Sequence, residues 1–187
     1  YGYTEFKGNI YKVKAAKFNF KCESKIPIFI GAQGPKMLEL ASSIGDGVLI
    51  NSSHPKDLER AMLHIKRENS KKLEVVAATS LSIDEDEKKA YKAAIPAVSF
   101  IVAGASEELL NSHNINLEKA RTVKEALIKA KWKEAFSNVT EDMIDSFCIA
   151  GRPDKVIERI SEIFKLGVDS LVAGTPIGPN VKNSIEL

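Results

Sequence analysis

The sequence has little of what usually organises a specialised chain. Its two cysteines, Cys22 and Cys148, lie far apart with no metal-ligand spacing around either, so neither a zinc module nor a disulfide scaffold is expected. That usage fits a reduced, cytoplasmic compartment, with one disulfide between the two still open. No apolar run is long enough to span a membrane, so no membrane partner is expected. Charge of one sign is missing as well: 27 Lys+Arg against 25 Asp+Glu leave +2, and no basic stripe or stacked aromatic motif points to nucleic acid. His54, His64 and His113 have no carboxylate or cysteine partner at metal spacing, so no metal site is assigned. Neither a Ser–His–Asp arrangement nor a pair of carboxylates in a shared apolar setting is present. The catalytic residues are unknown at this level. The single tryptophan, Trp132, stands between two lysines and reads as a packing residue.

What is present is a chain of 187 residues, enough for one domain with a real core. Its central stretch runs from Ile26 to Asn51. Ile26–Ile30 is a short, β-branched apolar run, the pattern of a strand buried on both faces. Gly31-Ala32-Gln33-Gly34 carries no bulky side chain, and Pro35 suits the first position of a helix. Met37, Leu40, Ala41 and Ile44 follow at i, i+3, i+4 and i+7, predicting one buried stripe. Gly45 suits a left-handed helix end, and Val48-Leu49-Ile50 restarts a strand. The whole is a βαβ unit.

Around this unit the same alternation continues. Residues 3–20 read as a β-hairpin turning at Gly8-Asn9, expected to pack on a larger body. Pro55 opens a helix with the stripe Leu58, Ala61, Met62, Ile65, ending near Asn69-Ser70. Leu73–Leu81 is a third strand. Asp84 and Glu87 suggest a capping box, and Pro96 is expected to kink or end the helix that follows. A helical middle runs from about Ala97 to Phe147, with Thr140 as an N-cap. Pro153 opens a helix that Gly167 ends, Val168–Gly174 is a fourth strand, and Thr175–Asn180 reads as a stiff turn-forming loop before a last helix near Val181. Strands alternating with helices predict a parallel sheet with right-handed crossovers, as part of a barrel or a small open sheet.

Two segments are candidates for chemistry. The turn from Gly31 to Lys36 lets an anion approach the backbone at a helix N-terminus, and the same residues also make a plain tight turn. Asn51 and Ser52 close the second strand at the end where parallel α/β folds bind ligands, and they serve equally as a polar loop before Pro55.

The motif Pro27-Ile-Phe-Ile-Gly-Ala-Gln-Gly-Pro-Lys36, continuing through Glu39-Leu40-Ala41 to Gly45-Asp46-Gly47, resembles the bacterial-luciferase-like superfamily. The nearer resemblance is to its branch using the deazaflavin coenzyme F(420). The tail, Phe147–Asp154 and Gly167–Asn180, is similar to the end of the methylenetetrahydromethanopterin reductases, an archaeal group of one-carbon metabolism. The resemblance implies a TIM-type (βα)8 barrel of which this chain is the C-terminal half, strands five to eight. Residues 1–25 would be a β-hairpin insertion and 26–187 the half-barrel. It also implies that Ala32, Gln33, Gly34, Pro35 and Lys36 bind the coenzyme, and that Asn51 and Ser52 lie on the substrate side. The expected activity is hydride transfer between coenzyme F(420) and methylenetetrahydromethanopterin or a similar pterin. An FMN-dependent monooxygenase and a non-catalytic half-barrel subunit are the alternatives. The first four strands of that barrel would be absent, so a missing N-terminal half or self-association is expected to cover the open edges and apolar inner face.

Overall fold

The structure, a computed structural model, describes residues 3–17, 19–20, 24–66 and 73–187. Cys22 and the expected helix end at Asn69-Ser70 lie outside the described residues. Two N-terminal strands, β1 (Thr4–Lys7) and β2 (Lys12–Ala16), pair antiparallel across Gly8-Asn9. Every residue of both strands is exposed. Neither strand buries a residue against the rest of the described residues.

The α/β body begins with β3 (Phe29–Gly31), α1 (Pro35–Ile44), β4 (Gly47–Asn51), α2 (Pro55–Met62) and β5 (Glu74–Ile83). A helical excursion follows: α3 (Glu87–Gly104), α4 (Glu107–Ser112), α5 (Leu117–Ile128), α6 (Trp132–Ser137) and α7 (Glu141–Phe147). The chain returns through β6 (Ile149–Gly151), α8 (Pro153–Lys165), β7 (Ser170–Ile177) and α9 (Val181–Glu186). All pairings from β3 to β7 are parallel. β5 is the hub. Ser82 pairs with Ala150 of β6 and with Ile177 of β7, so those two strands take opposite edges. β7 runs along residues 76–82 of β5, while β4 takes residues 74–78 on the other edge. β6 therefore continues the β4 edge beyond the end of β4.

The register sorts the side chains into two faces, because alternate strand residues point oppositely. Ile30, Val48 and Val75 share one face, with Ile50, Ala77 and Leu171 a step further along. That face joins Leu38, Leu58, Ala61, Val156 and Ile163 of the covering helices in one core. The opposite face carries Leu49 and Val76, then the layer Asn51–Ala78–Val172. It is left open: Val172 is 50% exposed. The excursion has a second, separate core around Val98, Val123, Met143 and Phe147.

Several expected elements are corrected here. Ile26 to Ile30 is not buried on both faces: β3 is shorter and sits at the sheet edge, leaving Ile28 and Phe29 exposed. In α1 the buried set is Leu38, Ala41 and Ser42, while Met37, Leu40 and Ile44 face outward. Gly45 is extended rather than left-handed. Asp86, not Asp84, caps α3, accepting the Lys88 N–H; the Asp84 carboxylate holds the Asp86 N–H instead. α3 does not end at Pro96 but continues to Gly104, and Pro96 and Lys92, whose carbonyl loses its donor, both lie on the exposed side. Thr175 and Pro176 belong to β7 rather than to a loop. The three-residue strand β6 had no sequence signal.

Candidate functional site

The two candidate segments meet at the C-terminal ends of β3 and β4. Leaving β3, Ala32 donates its N–H to Leu49 O at 3.0 Å and is buried, so the turn is pinned to the neighbouring strand. Gln33, Gly34, Pro35 and Lys36 are exposed above it. No side chain caps α1; its N-cap is Gly34, with Pro35 in the first turn. A Cβ added at Gly31 or at Gly34 would meet nothing within 4 Å, so the space over the turn is open. Uncapped amides, a nearby exposed lysine and room for approach together suit an anionic group. These residues fit the phosphate-bearing part of a flavin-type or deazaflavin coenzyme.

Across the strand boundary, Gln33 Nε2 donates to Asn51 O at 3.3 Å, which brings the two segments together. Asn51 itself is exposed on the open sheet face, and Ser52 is half-buried. The Ser52 hydroxyl is taken up locally, accepting the His54 N–H at 3.3 Å. Ser53, buried, accepts the Ser80 N–H at 3.0 Å and ties this loop to β5.

Sequence reasoning missed one cluster. His113, in the turn between α4 and α5, places Nε2 2.8 Å from Asp57 Oδ2, and its side chain is only 3% exposed. The two are 56 positions apart, and no sequence spacing announces such a pair. His54 stands edge-on to the His113 ring, centroids 4.8 Å apart, and Phe147 packs against the same ring at 5.5 Å. The His54 Nδ1 accepts the Lys56 N–H, capping α2. Burial, then the Arg159 charge, lowers the His54 pKa to about 4, so its ring is neutral near pH 7.

A separate cleft of about 340 Å³ opens among α3, α7, β6 and α8. Within it Tyr91 donates to Asp145, and Arg159 faces Glu162 at 3.6 Å. Cys148 at its base is free and buried, and burial pushes its thiol up to about 12, so it is no nucleophile. No cluster of three or more potential metal ligands occurs among the described residues, and no helix there is long and apolar enough to cross a membrane.

Fold and site together define a parallel α/β protein with an open, uncapped turn at its strand ends. The chain belongs to the luciferase-like monooxygenase family, whose profile matches residues 1–170. It is similar to the 5,10-methylenetetrahydromethanopterin reductase of Archaeoglobus fulgidus, 48% identical over 98% of this chain and 58% of that one. The enzyme of the same name from Methanopyrus kandleri is 43% identical, over 100% and 56%. The solved coenzyme F(420) dependent tetrahydromethanopterin reductase of M. kandleri superposes with a TM-score of 0.90, covering 97% of this chain and 55% of that one. An F(420)-dependent secondary alcohol dehydrogenase, 19% identical with a TM-score of 0.69, shares the fold. The chain thus spans little more than half the length of these relatives.

Proposed function

We propose that this chain is the coenzyme-gripping, C-terminal part of a coenzyme F(420)-dependent oxidoreductase acting on methylenetetrahydromethanopterin or a similar C1-carrying pterin. The observation that carries the reading is the open, uncapped turn from Gly31 to Lys36, in a family whose similar members bear that name. Ala32, Gln33, Gly34, Pro35 and Lys36 form the turn that holds the anionic tail of the coenzyme, through the Gln33, Gly34 and Lys36 amides and the Lys36 charge, while Ala32, its N–H given to Leu49 O, and Pro35, which has no N–H, shape the turn. Asn51 and Ser52 border the pterin, with the Asn51 side chain on the open sheet face. Coenzyme F(420), when bound, supplies the hydride-carrying ring. The setting is cytoplasmic.

The same proposal includes a complement. β3 and β7 each pair on one edge only among the described strands, and neither carries a charged residue on its backbone edge. Uncharged free edges beside an open face normally acquire a partner. Residues 26–187 would be the C-terminal half of a (βα)8 barrel, residues 1–25 an insertion, and the partner a matching N-terminal half or a second copy of this chain. Solution mass measurement tests this: a stable, non-aggregating monomer overturns it.

Titration with coenzyme F(420) and, separately, with FMN tests the ligand. Deazaflavin binding that weakens at least several-fold in Lys36→Met and in Gly34→Asp is the expected result. FMN binding without deazaflavin binding reverses the assignment toward a flavin monooxygenase. Binding of neither, even with a candidate N-terminal half added, favours a structural or assembly subunit.

A further inference from the structure

The excursion and the strand-end loop belong to different cores, yet they are joined at one point. Asp57 in the first turn of α2 reaches His113 at 2.8 Å, in a contact where the histidine side chain is 3% and the aspartate 17% exposed. Beside it Lys56 Nζ donates to Ser112 O at 2.6 Å, an outer strap on the same turn. His54 and Phe147 both pack against the His113 ring. Asp57 Oδ1 is buried without a partner, so the carboxylate depends on His113 alone among the described residues for its paired oxygen. A buried carboxylate with one partner makes that partner expensive to remove.

We propose that Asp57 and His113 are positioning residues: their clasp holds the α4–α5 turn against the start of α2 and so fixes the Asn51–His54 segment beside the candidate site. The segment is already tied to the β3 turn by Gln33 and to β5 by Ser53. Its outer end, from His54 into α2, is secured by the clasp. That the clasp matters for ligand binding rests on the coenzyme reading above; that it holds the two segments together does not.

The experiment follows amide exchange in the full chain at Lys56, Asp57 and Leu58 on one side and at His113, Asn114 and Ile115 on the other. All six N–H groups have acceptors whose loss is readable. His113→Phe keeps a ring against His54 and Phe147 but removes the donor; His113→Gln restores an N–H donor at similar reach. Exchange at both sets should rise roughly tenfold or more in His113→Phe and return toward wild type in His113→Gln, while the β4–β5 ladder stays protected. Lys56→Met, an exposed change that leaves the buried pair intact, should open the same amides by a smaller factor. Unchanged exchange in His113→Phe overturns the proposal. So does uniform acceleration that includes the β4–β5 ladder, or failure of His113→Gln to restore protection. Coenzyme F(420) titration of the same proteins separates the two readings. No binding to wild type, even with a candidate N-terminal half added, with the amides opening as described, removes the coenzyme reading and leaves the clasp. Binding to wild type, with exchange unchanged in His113→Phe, removes the clasp and leaves the coenzyme.

Discussion

The helical excursion and the sheet solve the burial problem differently within one chain. In α3–α7, side chains from three helices close on one another: Ala94 and Val98 of α3, Val123 of α5 and Met143 of α7 are fully buried. The sheet is closed on one face only. Ile30, Val48, Ile50 and Ala77 lie under helices, while the layer Asn51–Ala78–Val172 on the other face faces outward. The excursion therefore closes its core almost entirely with its own residues, with Cys148 and Ala150 of the returning chain at its border, and the sheet does not. The proposed functional and partner surfaces both lie on the incomplete region, where polar and backbone groups remain available.

The largest test of that difference is Met143→Ala. Removing a fully buried side chain should cost about 2–5 kcal/mol, through lost burial and the cavity left behind. If the excursion is a self-contained unit, accelerated exchange concentrates in α3, α5 and α7, and the amides of β4 and β5 keep most of their protection. Equal loss in both regions would break the comparison.

Gly47→Ala probes the sheet with a smaller expected effect. A Cβ there would come within 2.2 Å of the Phe29 ring, too close to fit without movement. Phe29, however, is 41% exposed on an edge strand, so its ring can swing outward. A loss of about 1 kcal/mol, at the low end for overpacking, is expected in urea unfolding, and Phe29→Ala in the same chain should recover most of it. A loss of 3 kcal/mol or more would mean that this edge is held as rigidly as the excursion.

How much of this was legible depended on whether a residue's partner is local. α2 was readable because its apolar Leu58 and Ala61 are buried while its charged Lys56, Glu59 and Arg60 face water. α1 was misread because its outward face is apolar too: Met37, Leu40 and Ile44 satisfy the same periodicity as the buried Leu38 and Ala41. The Gly45-Asp46-Gly47 motif carried the family resemblance, yet its aspartate does structural work, accepting the Ile28 N–H at 3.0 Å and facing Lys25. Asp169 repeats the device, accepting the Val75 N–H at 2.8 Å. Both sit at the N-terminal ends of strands, away from the candidate site. On that side, the turn from Gly31 to Lys36 could be located in sequence, because small residues and a proline at a helix start are a local signature. The Asp57–His113 pair could not, since only the fold brings α2 and the α4–α5 turn together.

His54 lies where the two regions meet, and it gives the smallest and most specific effect. Its pKa falls from 6.5 to about 4 on folding, chiefly by burial and then by the Arg159 charge. The unfolded chain therefore binds this proton more readily than the folded one between those values. The stabilising contribution is whole above pH 6.5 and is lost as pH falls toward 4. One such group gives at most about 1.4 kcal/mol per pH unit, and the half-exposed ring lessens this through solvent screening. His54→Asn keeps a good helix cap while removing the titration. Between pH 6.5 and 5, above the ordinary carboxylate range, the variant should show a flatter fall in stability than the wild type. Equal slopes would mean that the ring exchanges its proton freely, and that the junction between excursion and sheet is open to water.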